Sequence, residues 1–248
     1  MSTPRVTVPF RPGAVSAMAC LSEAAGLLRG QYWLLVLICG VGLVCGSLVP
    51  LGIMLGPMMC GIYAAFFTRM AGRDVRFEDL FRGFDHFLQA LVATLIQMGV
   101  SVLLLVPFYM GVVLLGVAAG ISEGRLLEDN PAILPVVIVL GLVVVMGGFI
   151  LLGIFCAFVY QLIVDRGLTG VDATLQSLVA ARRNFSGLVG LVLINFGMGL
   201  VATVLCYLPV FLVLPLILGS MAAAYRRVFG LASGAPPAGA APRSATTS

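Results

Sequence analysis

Four long blocks without a charged residue dominate the chain: Gly30–Thr68 (39 residues), Phe87–Ser122 (36), Asn130–Val164 (35) and Asn184–Tyr225 (42). One helical crossing of a bilayer takes about 20 apolar residues. The first block is interrupted by Pro50-Leu51-Gly52 and Gly56-Pro57, and the last by Tyr207-Leu208-Pro209. Each reads as a tight hairpin of two spans, with Pro50, Pro57, Pro209 and Pro215 ending helices and shaping the turns. The middle blocks read as single long spans, tilted or projecting past the bilayer. In Asn130–Val164 the only candidate turn is Gly147-Gly148. The pattern predicts an all-α integral membrane protein with six transmembrane helices as three helical pairs. Folding both middle blocks into hairpins would give eight spans instead.

Each pair is expected to follow a cytoplasmic amphipathic helix. In Phe77–Leu88, the residues Phe77, Leu80, Phe81, Phe84 and Leu88 recur on one helical face, with most of the charge elsewhere. This segment is expected to lie in the membrane interface, with Phe77, Leu80, Phe81 and Phe84 as its anchor. Val171–Arg183 opens on Thr169-x-x-Asp172, a capping box. Its apolar face is Val171, Leu175, Leu178 and Val179, and Arg182-Arg183 close the end favoured by the helix dipole. Ala14–Arg29 is a weaker version. The domain is thus expected to run from 14 to 230 as one six-span unit.

Residues 1–13 contain Pro4, Pro9 and Pro12 and read as disordered. They lack the compact apolar core and small-residue cleavage site of a signal peptide, so the first span is expected to serve as the insertion signal. Residues 231–248, rich in Ala, Pro, Ser and Thr, read as a disordered tail.

Composition agrees with the pattern: 61% of residues are hydrophobic and 10% charged, against roughly 25% charged in soluble domains. All 14 basic residues are arginine, and the net charge is +4. The arginines flank apolar blocks, which points to anionic lipid headgroups and away from nucleic acid. A six-span arrangement with both termini in the cytoplasm puts every arginine inside except Arg125. That is the asymmetry of a bacterial inner-membrane protein. An eight-span arrangement would also satisfy it.

The strongest internal pattern is P-x3-G-x2-A-A-x3-R-x2-G. It occurs at Pro57, Gly61, Ala64, Ala65, Arg69 and Gly72, and again at Pro215, Gly219, Ala222, Ala223, Arg227 and Gly230. Upstream, Gly30, Gly40 and Gly42-Leu43 match Gly187, Gly197 and Gly199-Leu200 with a one-residue shift. Repeat-like units 14–72 and 171–230 follow, parallel in orientation because each contains two spans. Independent enrichment in Gly and Ala is the competing explanation.

Chemistry is sparse. No ionisable residue falls inside a predicted span, which argues against proton- or ion-coupled transport. The intramembrane polar residues singled out are Ser47, Gln97, Ser101, Asn195, Thr203 and Ser220. Gln97 and Asn195 are the costliest to bury; they form interhelical hydrogen bonds or line a polar path. His86 is the sole histidine, and the six cysteines show no Cys-x-x-Cys spacing. No metal site, cofactor site, phosphate loop or nucleophile elbow is expected.

The run Arg76-Phe77-Glu78-Asp79-Leu80-Phe81-Arg82-Gly83-Phe84 resembles an R-F-x-D-L-F-x-G-F motif. That motif belongs to a loose group of uncharacterised bacterial multi-pass inner-membrane proteins. The group is similar to the membrane domain attached to some glycerophosphodiester phosphodiesterases. Ala173-x-x-x-Ser177, Arg183-Asn184-Phe185 and the ending from Pro215 through Tyr225-Arg226-Arg227-Val228-Phe229-Gly230 resemble the same group. The resemblance covers roughly residues 14–230. It implies membership of that group and carries no catalytic residues with it, so phosphodiesterase activity is not implied.

The expectation is therefore a non-enzymatic protein that organises or assists other membrane components. Its expected partners are anionic lipids at the cytoplasmic face and either a membrane-protein partner or a second copy. The alternative is a transporter or channel for a neutral or amphiphilic small molecule.

Overall fold

The computed structural model describes residues 8–48, 52–121, 133–205 and 208–232. Among these residues the regular structure is entirely helical: α1 (Ala17–Leu28), α2 (Tyr32–Leu48), α3 (Leu55–Met70), a 3-10 segment (Phe77–His86), α4 (Phe87–Ile121), α5 (Ile133–Phe155), α6 (Val159–Arg166), α7 (Gly170–Arg183), α8 (Phe185–Val204) and α9 (Leu208–Phe229).

Four runs among the described residues are long and apolar enough to cross a membrane: Phe77–Leu114, Ile138–Arg166, Phe185–Val204 and Pro209–Phe229. A fifth candidate is the pair α1 and α2, bent by 106° at its break. Helix α3 has 16 residues, roughly 24 Å at 1.5 Å per residue. Most of its residues are buried within the protein.

Both middle blocks contain one continuous helix where they are described. Helix α4 runs 35 residues straight through Pro107, and α5 runs 23 residues through Gly147-Gly148. Neither folds into the hairpin that eight spans required. The third block does break, but lower down: α5 stops at Phe155 and α6 restarts at Val159. Ser177 of α7 fills the gap, donating to the Phe155 carbonyl (2.7 Å) and accepting from the Phe158 N–H (3.1 Å). One hydroxyl thus satisfies two backbone groups that the break leaves without helical partners.

The core lies where α3, α6 and α9 meet. Phe67 and Phe158 both pack on the fully buried Tyr225 ring, with centroids 5.4 and 6.2 Å away. The Tyr225 hydroxyl donates to Asp165 Oδ2 (2.7 Å). Asp165 also pairs with Arg166 (3.0 Å) and accepts from the Ala232 N–H (3.1 Å). Three shorter elements wrap this core: the 3-10 segment lies on α3, α7 on α6, and α1 on α9.

The wrapping contacts explain the recurring sequence motif. A Cβ on Gly61 would fall 1.8 Å from the Leu80 carbonyl oxygen, and one on Gly83 would fall 2.0 Å from that of Pro57. Only glycine lets α3 and the 3-10 segment meet backbone to backbone. In the second copy, Gly219 admits Ala24 and Phe66. Arg69 reaches back to the carbonyls of Leu27 (3.2 Å) and Arg29 (2.6 Å), capping the end of α1. Arg227 binds Glu23 on the same helix (3.2 Å). Gly72 and Gly230 follow the two helix ends with φ of 73° and 66°.

Two expectations are corrected. Residues 8–13, expected to be disordered with the rest of the first 13, are packed: Val8 is buried, Phe10 contacts Phe229, and the Arg11 N–H donates to the Val228 carbonyl (2.8 Å). Pro215 does not sit in a turn but inside α9. A proline within a helix loosens the preceding turn. Tyr32 donates its hydroxyl to the Leu212 carbonyl (2.8 Å), next to Phe211, the residue whose carbonyl loses its partner to the proline. Pro57 and Pro209 each lie in the first turn of a helix, α3 and α9, where a missing N–H costs nothing. Pro50 lies outside the described residues.

Candidate functional site

The expected anchor residues separate into two groups. Phe81 faces outward (52% exposed), while Phe77 and Phe84 are half-buried beside it, with ring centroids 5.9 and 6.4 Å from Phe81. Leu80 is fully buried against α3 and does not join this outward face. The reason is geometric: the segment winds as a 3-10 helix of three residues per turn, so Leu80 and Gly83 share the face turned to Gly61.

Helix α7 shows the same division more sharply. Its buried side carries Gly170, Ala173, Ser177, Ala180 and Ala181. Its outward side carries Val171, Leu175 and Val179, four residues apart and all more than 40% exposed. Small residues meet the protein and large apolar residues meet the surroundings. On α1, Cys20, Ala24 and Leu28 are buried while Met18 is exposed.

The two candidate polar residues have different fates. Asn195 is buried and its amide is spent on one neighbour: Nδ2 donates to Ser220 Oγ (3.0 Å), which lies 3.2 Å from Asn195 Oδ1. This is a closed contact between α8 and α9.

Gln97 instead lines a cleft of about 450 Å³ between α4, the α5–α6 break and the start of α3. Thr94, Ser101, Gly153, Cys156 and Tyr160 share the lining. The Tyr160 hydroxyl donates to Gln97 Oε1 (3.4 Å). Thr94 Oγ1 lies within reach of both that hydroxyl (3.1 Å) and the Ala90 carbonyl (2.8 Å). Gln97 Nε2 is buried and has no protein partner among the described residues. The wall of the cleft is mostly apolar, with Leu55, Met98, Phe149 and Leu152 between the hydroxyls. Thr94 and Tyr160 were missed from the sequence; each is a hydroxyl inside an uncharged block, and neither carries a spacing that sets it apart.

Among the described residues no group of three His, Cys, Asp or Glu is placed to hold a metal ion. His86 ends the 3-10 segment. No family model, curated protein or solved structure matches the chain.

Proposed function

We propose that this chain is a non-enzymatic, six-span protein of the bacterial inner membrane that organises or assists other membrane components from its cytoplasmic face. The spans are α2, α3, α4, α5 with α6, α8 and α9. Both termini lie in the cytoplasm, where the positive-inside rule puts the arginines. The helix–helix–turn–helix order of α1–α3 and α7–α9, with the motif on the last helix of each, supports a duplicated unit. The resemblance of the Phe77–Phe84 and Arg183–Phe185 motifs supports membership of the inner-membrane group named above.

The observation that carries this reading is the outward apolar stripe Val171, Leu175 and Val179, with Phe81, on elements that end in arginine or lie beside it. Exposed apolar stripes on short helices mark membrane-interface or protein contacts. Arginines beside them favour anionic headgroups.

Native mass spectrometry from nanodiscs of mixed neutral and anionic lipid tests the reading. Retention of anionic lipid that falls when Arg182 and Arg183 are changed to Gln, or a stoichiometric partner protein, supports it. Release of the protein with neither overturns it.

The cleft at Gln97 favours a second reading, passage of a neutral or amphiphilic molecule. A substrate-dependent flux across proteoliposomes that Gln97→Leu abolishes would establish it.

A further inference from the structure

Every charged residue among the described ones lies at one end of the bundle: on α1, the 3-10 segment or α7, in the chain beside them, or in the last turn of α3, α6 or α9. Arg166 ties the end of α6 to the end of α9, donating to the carbonyls of Phe229 (3.1 Å) and Gly230 (3.2 Å). Charge confined to one end puts that end at a membrane–water boundary. Helix α1 meets α2 at 106°, so it lies across the span direction, as a helix in the plane of an interface does.

At that end the outward side chains of all three wrapping elements are large and apolar: Met18 on α1, Phe81 on the 3-10 segment, and Val171, Leu175 and Val179 on α7. Each surface continues onto the span that follows. Phe84 stacks on Phe87, the first residue of α4 (centroids 6.3 Å apart), and Leu88 beside it is exposed. Trp33 in the first turn of α2 and Phe185 at the start of α8 are exposed as well. A protein partner would mark one side of the bundle. These elements pack on three different helices, the 3-10 segment on α3, α7 on α6 and α1 on α9, so the apolar surface recurs around the bundle at one level. What surrounds a bundle at one level, apolar and bordered by arginine, is a lipid leaflet with its headgroups.

We propose that the three wrapping elements form an apolar collar in the leaflet at the arginine-bearing end, and that the collar makes the protein favour membrane convex on that side. This rests on the membrane reading above and names the lipid surface it engages. The opposite end carries no such collar among the described residues. Side chains wedged between headgroups and acyl chains spread one leaflet and not the other. Convex membrane offers that leaflet the gaps that receive them, so interfacial apolar helices bind in a curvature-dependent way.

Full-length protein with a dye on its amino terminus is reconstituted in both orientations into giant vesicles of phosphatidylcholine and phosphatidylglycerol, and narrow tubes are pulled from them. A membrane-impermeant quencher separates dye outside the vesicle from dye inside. Molecules with the arginine-bearing end outward are expected to be enriched in the tube about two-fold or more over the parent vesicle, and those with it inward to be depleted. The combined variant Phe81→Ser, Val171→Ser, Leu175→Ser and Val179→Ser is expected to lose the difference between orientations. Equal tube density in the two orientations of wild type overturns the proposal, and so does a difference that survives the combined variant. A detergent unfolding midpoint within a few degrees of wild type shows that the variant is folded, and the wild-type comparison stands without it. Anionic lipid retained by the same preparations, weighed by native mass spectrometry, tells the two readings apart. Arginine-dependent retention without an orientation preference leaves the organising reading and removes the collar; an orientation preference without retention does the reverse.

Discussion

The Ala14 N–H donates to Asn184 Oδ1 at 3.0 Å, across 170 residues of chain. The same contact occurs twice more. The Val75 N–H donates to Gln31 Oε1 (3.0 Å), and the Gly170 N–H donates to Gln89 Oε1 (3.0 Å). Each amide sits at or beside the start of a long helix, α2, α4 or α8. Each accepts from the chain leading into a wrapping element, the 3-10 segment, α7 or α1. The order is cyclic: α2 holds the 3-10 segment that leads into α4, α4 holds α7 that leads into α8, and α8 holds the chain that leads into α1 and α2. The three contacts therefore close into a ring, and Asn184 makes the closing one.

If the ring is cooperative, opening it at Asn184 should cost as much as opening it elsewhere. Asn184→Leu strands a backbone N–H, at roughly 1–3 kcal/mol. Thermal unfolding in detergent should show a lower midpoint for Asn184→Leu, Gln31→Leu and Gln89→Leu alike. A midpoint unmoved by Asn184→Leu would mean that the N-terminal segment contributes nothing to closure.

Glycines sort by what faces them. Gly61→Ala and Gly83→Ala force a methyl into a backbone carbonyl, and neither helix can yield without losing the contact between them. Both variants should fail to give monodisperse protein. Gly99→Ala and Gly197→Ala meet open space. They should be neutral or gain up to about 1 kcal/mol from helix propensity. Size-exclusion profiles of the four variants decide this, and a well-folded Gly61→Ala would contradict the close packing described.

Leu80 and Phe81 are adjacent but should respond oppositely. Leu80→Ala removes a fully buried side chain, at about 2–5 kcal/mol, and should lower the unfolding midpoint in any detergent. Phe81→Ser changes an outward residue and should stay within about 0.5 kcal/mol in detergent. In liposomes the same change should expose the 77–86 segment to protease. Equal protease resistance of Phe81→Ser and wild type would remove Phe81 from the membrane contact.

That pair also marks where the sequence stops being readable. Block lengths and charge gaps reveal the helical class and the continuous α4, because one residue per position suffices for a hydropathy pattern. The face of a short segment depends on its winding, and the choice between 3.6 and three residues per turn sends Leu80 inward. The clamps at Gln31, Gln89 and Asn184 lie at block edges, where a polar residue passes for ordinary punctuation. The cleft draws on three separate segments of chain, and the break that opens it at Cys156–Phe158 has no proline and no charge to announce it. Pro215 shows the converse: a strong breaker signal lies inside a helix.

Gln161 is fully buried on α6, and neither of its amide atoms has a partner among the described residues. It lies one turn before Asp165, on the same helical face, yet takes no part in the Asp165–Tyr225–Arg166 contacts. An unsatisfied buried amide costs roughly 1–3 kcal/mol, and an apolar side chain of similar shape removes that cost. Gln161→Met should therefore raise the unfolding midpoint, by about 2–4 °C for each kcal/mol in a chain of this size. The Asp165 contacts should be untouched, so Asp165→Asn should still destabilise Gln161→Met. A midpoint that falls in Gln161→Met would show that the amide is satisfied by a bound water, and that α6 is polar-tied at its centre as well as at its end.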